Sequence, residues 1–514
     1  MVFLGAGASS SGHTYPARGA PPHFCLLPVN LNHKKLYLGA PFVFPGAPSP
    51  IFVARVAEGP NNPSYWIDQN RRLIPVDGIF PRQDYDSDHW VEEPWSSRIV
   101  TVNGFHPAVT VMSPGDRNFH TIFETPFFDD NGYQWLSGPM ILSRSHQTIV
   151  LKPGGRPYVV GANGISPWLP GSILAQHGVW GITNVYDSRS LLATVIIGVD
   201  GNIYLLTDDG SWQDLGNFDS YHFSIGMGLN RTAEFYDLPA LGTLIVAFVK
   251  SGTVSNHTII AIHRNQIGAR NRFSVQVLQS SGWFERDSVY VFSGTFSQLL
   301  RLGAGSDLLP HSSFPRWQIY TGAGFQDIPG GKSKFALPLA DPVGFSQTTL
   351  RPLTSIGRDL IAGDKEFFLY DGVSIIPVAG STPDRLGAFP AVVDLPAIGH
   401  VLITSEAGIF DLKPDGRLIR LKMPFGVSAP YKVTLANWAE AGVALAETSG
   451  GLYEIDKNLK ATLIPGGEAF ENTSLVQMSL GDILPAREKV VANARALYVV
   501  VDTALSGPNA CQIN

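Results

Sequence analysis

The chain has 514 residues, with 53 Gly, 38 Pro, 16% charged residues and a formal charge of -6. Its two cysteines, Cys25 and Cys511, exclude a disulfide-dense scaffold and cannot form a zinc site alone. The modest charge and the lack of a Lys/Arg cluster argue against a nucleic-acid partner, and no apolar run reaches the roughly 18 residues of a membrane span.

Residues 1–22 are rich in Gly, Ser and Pro and are expected to form a flexible leader. Within them LGAGASSSG (residues 4–12) looks like a dinucleotide-binding glycine loop. Such a loop must open a helix whose N-terminus faces the phosphates, and residues 13–22 cannot start one. The leader also lacks the basic start and sustained apolar stretch of a secretory signal, and the compartment stays undetermined. From residue 23 the pattern turns strand-like, with CLLPVN, KLYLG and FVF falling between residues 25 and 44.

YWIDQNRRLIPVDG (residues 65–78) is the first complete strand-turn-strand unit. DYDSDHWVEE (residues 84–93) is the densest acidic stretch. Asp84, Asp86 and Asp88 alternate as the first ligands of a calcium loop do. His89 stands where an EF-hand needs glycine, and Trp95 where it needs a bidentate glutamate. A looser oxygen cage of Asp84, Asp86, Asp88 and Glu92 would hold calcium or another divalent ion; a solvated loop is the plainer reading. No other cofactor is suggested.

Residues 98–128 form a weaker unit, and TIVLKPGGRPYVVG (residues 148–161) mirrors the Lys-Pro-Asp-Gly-Arg hairpin near Asp415. IYLLTDDGSWQDLG (residues 203–216) is a clean unit. Its TDDGSW loosely resembles the Asp-box turn of sialidase-like propellers, one residue short between Gly and Trp. DLPALG (residues 237–242) and DLPAIG (residues 394–399) each lead into an apolar strand, as Pro and Gly at a turn should. Around Ile260 and Tyr320 the spacing stretches, which suggests long loops or two hairpins sharing one unit.

The C-terminal half is the most regular, with FFLYDGVSIIPVAG (residues 367–380), IFDLKPDGRLIRLK (residues 409–422) and LYEIDKNLKATLIPGG (residues 452–467). The aromatics Phe368, Phe410, Tyr453 and Tyr498 fall 42, 43 and 45 residues apart. That is the length of one four-stranded propeller blade. Residues 485–494 would pass as a helix, but their phase equally suits a strand of the last unit. The final unit stops after ALYVVVD (residues 496–502), one strand short. The N-terminal strands between about residues 25 and 45 could supply it and spare the ring an open sheet edge.

This period resembles the β-propeller superfamily, meaning WD40-like, NHL-like and related rings, over roughly residues 30–505. No family-specific motif accompanies it, so no site residue carries over. The expected fold is all-β: a single β-propeller spanning residues 23–514, with about seven or eight four-stranded blades drawn from nine or ten candidate units. Pairing of the N- and C-terminal strands closes it. Closure also makes a Cys25–Cys511 bridge conceivable, against the plainer reading of two unpaired thiols.

Chemistry is faint on this frame. The 13 histidines are scattered without a His-x-x-x-His pair, and no Gly-x-Ser-x-Gly elbow occurs. Trp180, Trp212, Trp283 and Trp317 lie near turns or unit starts, where aromatic rings hold ligands in some propellers; packing between blades is the plainer reading. The preferred function is a non-catalytic binding module with a protein or glycan ligand and no membrane-inserted part, either a scaffold or the recognition domain of a larger secreted or surface assembly. The alternatives are a hydrolase or lyase with a metal or carboxylate site in the central channel, and a carbohydrate-binding ring.

Overall fold

The repeated phrase is the second half of an antiparallel sheet. In the computed structural model, Asn202–Thr207 and Trp212–Asn217, Phe367–Tyr370 and Ile375–Pro377, Gly408–Leu412 and Leu418–Arg420, and Gly451–Ile455 and Ala461–Leu463 are the third and fourth strands of four such sheets. The aromatic anchors share one register position. Phe368 faces Ile361 and Pro377, Phe410 faces Ile403 and Arg420, Tyr453 faces Ala446 and Leu463, and Tyr498 faces Val491 and Pro28. The spacing of the anchors is therefore the spacing of whole sheets.

The structure describes residues 3–4, 24–28, 36–38, 52–56, 64–67, 71–76, 89–103, 108–114, 116, 118–124, 138–152, 156–168, 181–198, 201–218, 231–250, 258–267, 270–279, 288–303, 316–332, 350–362, 367–381, 383–386, 390–424, 433–448, 450–470, 481–483, 488–492 and 497–502. Among these are ten antiparallel sheets, nine of four strands and one of five. The chain is a β-propeller. It has more sheets than the seven or eight expected, because each candidate unit is a sheet in its own right. The stretched spacing near Ile260 comes partly from long strands, Thr258–Ile267 and Arg270–Gln279, rather than from paired hairpins. Among the described residues helix is confined to Pro383–Leu386 and a few 3-10 turns, and the helix-like stretch near the C-terminus contains the strand Glu488–Ala492.

Each sheet from the third to the ninth takes its strands in chain order. The tenth does not. Its strands Gly481–Ile483, Glu488–Ala492 and Leu497–Asp502 are completed by Phe24–Pro28, which pairs antiparallel with Leu497–Asp502 from Phe24 opposite Asp502 to Pro28 opposite Tyr498. The N-terminal strand thus fills the missing outer place, as expected, and removes the open edge.

Apolar residues run consecutively along the inner strands and point alternately to the two sides, so both faces of a sheet are buried against neighbours. Val100 packs with Val150, Ile196 with Leu142, Val195 with Ile260, Ile245 with Leu299, Leu300 with Ile361, Leu369 with Ile403, Leu402 with Ala446, and Leu445 with Val500. These clusters join the second sheet through the tenth in sequence. Each aliphatic side chain buried this way contributes roughly 1.5–3 kcal/mol.

Candidate functional site: a latched end and an open end

Antiparallel order places the turns between first and second strands, and between third and fourth, at one end of every sheet. The segments joining one sheet to the next leave from the other end. The first set is short, as in residues 189–192, 239–242, 354–357, 396–399 and 439–442; the second is long, as in residues 218–230, 333–350, 378–390, 421–433 and 464–480. The two ends therefore differ in what they can present.

At the short-turn end a carboxylate of one sheet holds the turn of the sheet before it. Asp187 accepts the backbone N–H groups of Arg144 at 3.0 Å and Ser145 at 3.4 Å, and the Thr194 hydroxyl. Asp237 accepts from Ser188 Oγ at 2.6 Å, from Tyr186 Oη at 3.0 Å and from the N–H groups of Arg189 and Ser190, both at 3.1 Å. Asp394 accepts the N–H of Thr354 at 2.8 Å, its hydroxyl at 2.6 Å and the N–H of Ser355 at 3.1 Å. Asn437 takes the Ala397 N–H at 2.7 Å. All four stand one residue before the end of a first strand or its turn, opposite Thr194, Leu244, Val401 and Ala444.

Two junctions solve the same problem differently. In the seventh sheet Pro352 occupies the usual acidic position, and Asp359, directly opposite on the second strand, receives the hydroxyls of Ser293 and Thr295. Between the second and third sheets the acid sits in the turn. Glu93 accepts Thr148 Oγ1 at 2.7 Å, Ser96 Oγ at 2.6 Å and a two-pronged contact from Arg98. Burial opposes ionisation of Glu93, but the hydrogen bonds from Arg98, Ser96 and Thr148 outweigh it and hold its pKa below the usual value.

The histidines at this end serve the same purpose. His263 Nδ1 meets Thr243 Oγ1 at 2.9 Å and its Nε2 meets the Tyr320 hydroxyl of the next sheet at 3.1 Å; Tyr320 also donates to Gln276. Burial raises the Tyr320 pKa to about 12, so it stays a donor at neutral pH. His400 joins Asp411 at 3.1 Å to the carbonyl of Lys457 in the ninth sheet, and Gln298 accepts from Tyr370 Oη.

Among the described residues the other end holds one buried acid. Glu447 is 4% exposed, and its Oε2 has no hydrogen-bond partner. It is the fifth residue of its strand, a place taken elsewhere by Leu151, Ile197, Ala247, Leu302, Ala362 and Thr404. Alternation sets it on the face of Leu445, toward the tenth sheet. Burial lifts its pKa to about 8. Sequence reasoning passed over it; the signal was a charge inside the apolar run VALAET.

The residues singled out from sequence are scattered. Asp84, Asp86, Asp88, Trp180 and Trp283 lie outside the described residues. Glu92 closes the strand His89–Glu92, opposite Ile99. Trp212 is half-buried and stacked on Tyr204, with ring centroids 4.9 Å apart. Trp317 is 4% exposed and belongs to the cluster between the sixth and seventh sheets, so it offers no ring face to a ligand. Its strand begins at Arg316, and alternation turns Trp317 inward. TDDGSW is an ordinary hairpin turn: Asp209 accepts the Ser211 N–H and Gly210 adopts φ 79°. Among the described residues no group of three or more His, Cys, Asp or Glu is placed to hold a metal, and no helix is long and apolar enough to cross a membrane.

No family model and no curated protein matches the chain. Among solved structures it is similar to the extracellular domain of a hybrid two component system from B. thetaiotaomicron, at 11% identity and TM-score 0.29, covering 93% of this chain and 59% of that one. It is also similar to the Niastella koreensis GH74 enzyme, at 11% identity and TM-score 0.28 over 91% of each chain. The Dos1 propeller aligns at 10% identity and TM-score 0.30, over 81% of this chain and 92% of that one. Likenesses this distant carry nothing about ligand or chemistry.

Proposed function

We propose that this propeller is a non-catalytic binding module that meets a protein or glycan ligand at the end where its long connectors leave the sheets. The supporting observation is the asymmetry between the ends. At the short-turn end Asp187, Asp237, Asp359, Asp394, His263 and His400 are engaged in bonds that fix one sheet to the next. A rigid frame with side chains already committed suits a scaffold, while variable segments on such a frame are where recognition usually resides. The same asymmetry fits a recognition domain in a larger secreted or surface assembly.

The test is binding of the full chain to an oligosaccharide array and to a displayed peptide library. Replacing residues 378–390 or 421–433 with Gly/Ser segments of equal length should abolish the hits, while Val373→Ser at the latched end leaves them intact. Hits that survive both replacements and vanish with Val373→Ser would overturn the assignment.

A hydrolase or lyase is the second reading, and Glu447 is what favours it: a carboxyl with a pKa of about 8 is a proton donor at neutral pH. Its placement in the seam between the ninth and tenth sheets, on the face of Leu445, favours the binding module.

A further inference from the structure

Cys25 lies on the closing strand, opposite Val501, and is disulfide-bonded. The chain contains one other cysteine, Cys511. We propose that a Cys25–Cys511 disulfide acts as a redox-controlled clasp on ring closure, and that the chain matures in an oxidising compartment.

The clasp acts where the ring is most easily opened. The tenth sheet is the one whose strands come from both ends of the chain, and its outer strand is held by the short pairing of Phe24–Pro28 with Leu497–Asp502. Phe24 packs on Trp438 at 5.4 Å between ring centroids, and Leu27 is buried. The same seam contains two buried polar atoms without partners, Glu447 Oε2 and Trp438 Nε1, each a cost that the packing must offset. A covalent tie from the closing strand to the C-terminal segment keeps that strand beside its sheet after any local opening. It also encloses nearly the whole chain in one loop, the arrangement in which a cross-link most restricts the unfolded state.

The chemistry is a thiol–disulfide exchange. One cysteine thiolate attacks the disulfide of oxidised glutathione or an oxidised dithiol carrier, whose second sulfur leaves as a thiol. The other cysteine thiolate then displaces the remaining carrier sulfur. In sum the two protein thiols give up two protons and two electrons, and the carrier disulfide is reduced. Such a bond persists outside the cytosol and is lost in a reducing one.

The experiment uses the full chain produced by export to the bacterial periplasm. Peptide mapping without reductant should recover Cys25 joined to Cys511, with neither thiol alkylated. Reduction should lower the Tm by several degrees and raise amide exchange over residues 24–28 at least about tenfold, with smaller changes in the central sheets. Cys25→Ser and Cys511→Ser should each reproduce the reduced protein and show no further response to reductant. Reduced and alkylated wild-type protein gives the same comparison if a variant fails to fold. Two free thiols in the exported protein would overturn the proposal. So would a disulfide whose reduction leaves exchange over residues 24–28 unchanged.

Discussion

The Ser188 hydroxyl donates to Asp237 at 2.6 Å across the boundary between the fourth and fifth sheets. The same carboxylate takes two N–H groups and a tyrosine hydroxyl from that neighbour, so one side chain ties a complete turn to the next sheet. Asp237→Ala strands these donors at once. Part-buried donors to a charged acceptor are each costly to leave unpaired, and a combined loss of about 2–4 kcal/mol is expected. Asp415→Ala, which removes only a local contact with Arg417, should leave the urea midpoint where it was. Equal midpoints for the two variants would show that the latch contributes nothing.

The turns themselves carry a second regularity. Positive φ falls at the last residue of the turn in His146, Leu192, Gly242, Ser297, Gly357, Gly399 and Gly442, and at the last but one in Ser97. Four are glycine, for which this conformation carries no Cβ penalty. Leu192 has φ 52° and is 45% exposed, so it bears the backbone strain with little burial in return. Leu192→Gly should therefore stabilise the chain by about 1 kcal/mol, the relief of left-handed strain exceeding the added unfolded entropy. Gly357→Ala, at φ 61° with open space around its Cβ, should destabilise by a similar amount through backbone strain alone. A Leu192→Gly variant that melts below the wild type would refute the strain argument.

The architecture was legible because the repeat recurs in register. Phe368, Phe410, Tyr453 and Tyr498 occupy one structural position, so their spacing measured the sheet directly. Closure was legible because the unit ending at Asp502 lacked a strand and the N-terminus had spare ones. The number of sheets was not, since an unusually long strand such as Arg270–Gln279 mimics an extra loop. Nor were the latches: the repeated DLPALG and DLPAIG mark Asp237 and Asp394 as turn residues, but their partners lie about one sheet away in sequence, where no local pattern points. Trp317 had two readings, and proximity to a turn could not choose between them because it says nothing about strand phase; its ring turns inward and packs between the sixth and seventh sheets.

The acidic stretch yields a conditional prediction. If Asp84, Asp86, Asp88 and Glu92 form a calcium cage, excess calcium raises the Tm relative to chelator, because a ligand that binds only the folded state stabilises it by mass action. Identical melting curves in the two conditions would dispose of the cage, and Asp86→Asn should abolish any shift that is seen.

Glu447 predicts a pH dependence. Its folded pKa of about 8 lies above the ordinary value of 4.5, so the folded state binds this proton more tightly than the unfolded chain does. The favourable contribution is complete below pH 4.5 and is lost as pH rises through about 8. The full swing is on the order of 5 kcal/mol. Glu447→Gln cannot ionise and should flatten that part of the profile. Urea midpoints at pH 5 and pH 9 measure it: wild type should lose stability across the interval and the variant should lose much less. Parallel profiles would place the carboxyl in contact with solvent or a cation.

Ring closure can be tested by truncation. Deleting residues 1–22 removes the leader and the two-residue pairing of Phe3–Leu4 with Leu36 and Tyr37, while the closing strand Phe24–Pro28 is retained. Deleting residues 1–45 removes that closing strand together with Leu36–Leu38 of the first sheet. The Leu497–Asp502 edge is then unpaired, and Val500 and Trp438 lose the cover of Phe24. The shorter deletion should melt within a degree or two of the full chain. The longer one should melt many degrees lower and aggregate, because an exposed apolar strand edge pairs readily with other chains. A peptide of residues 23–45 added in excess should restore part of the loss if the missing strand is the cause. Two truncations with the same Tm would mean that the tenth sheet is stable with three strands and that closure by Phe24–Pro28 is dispensable.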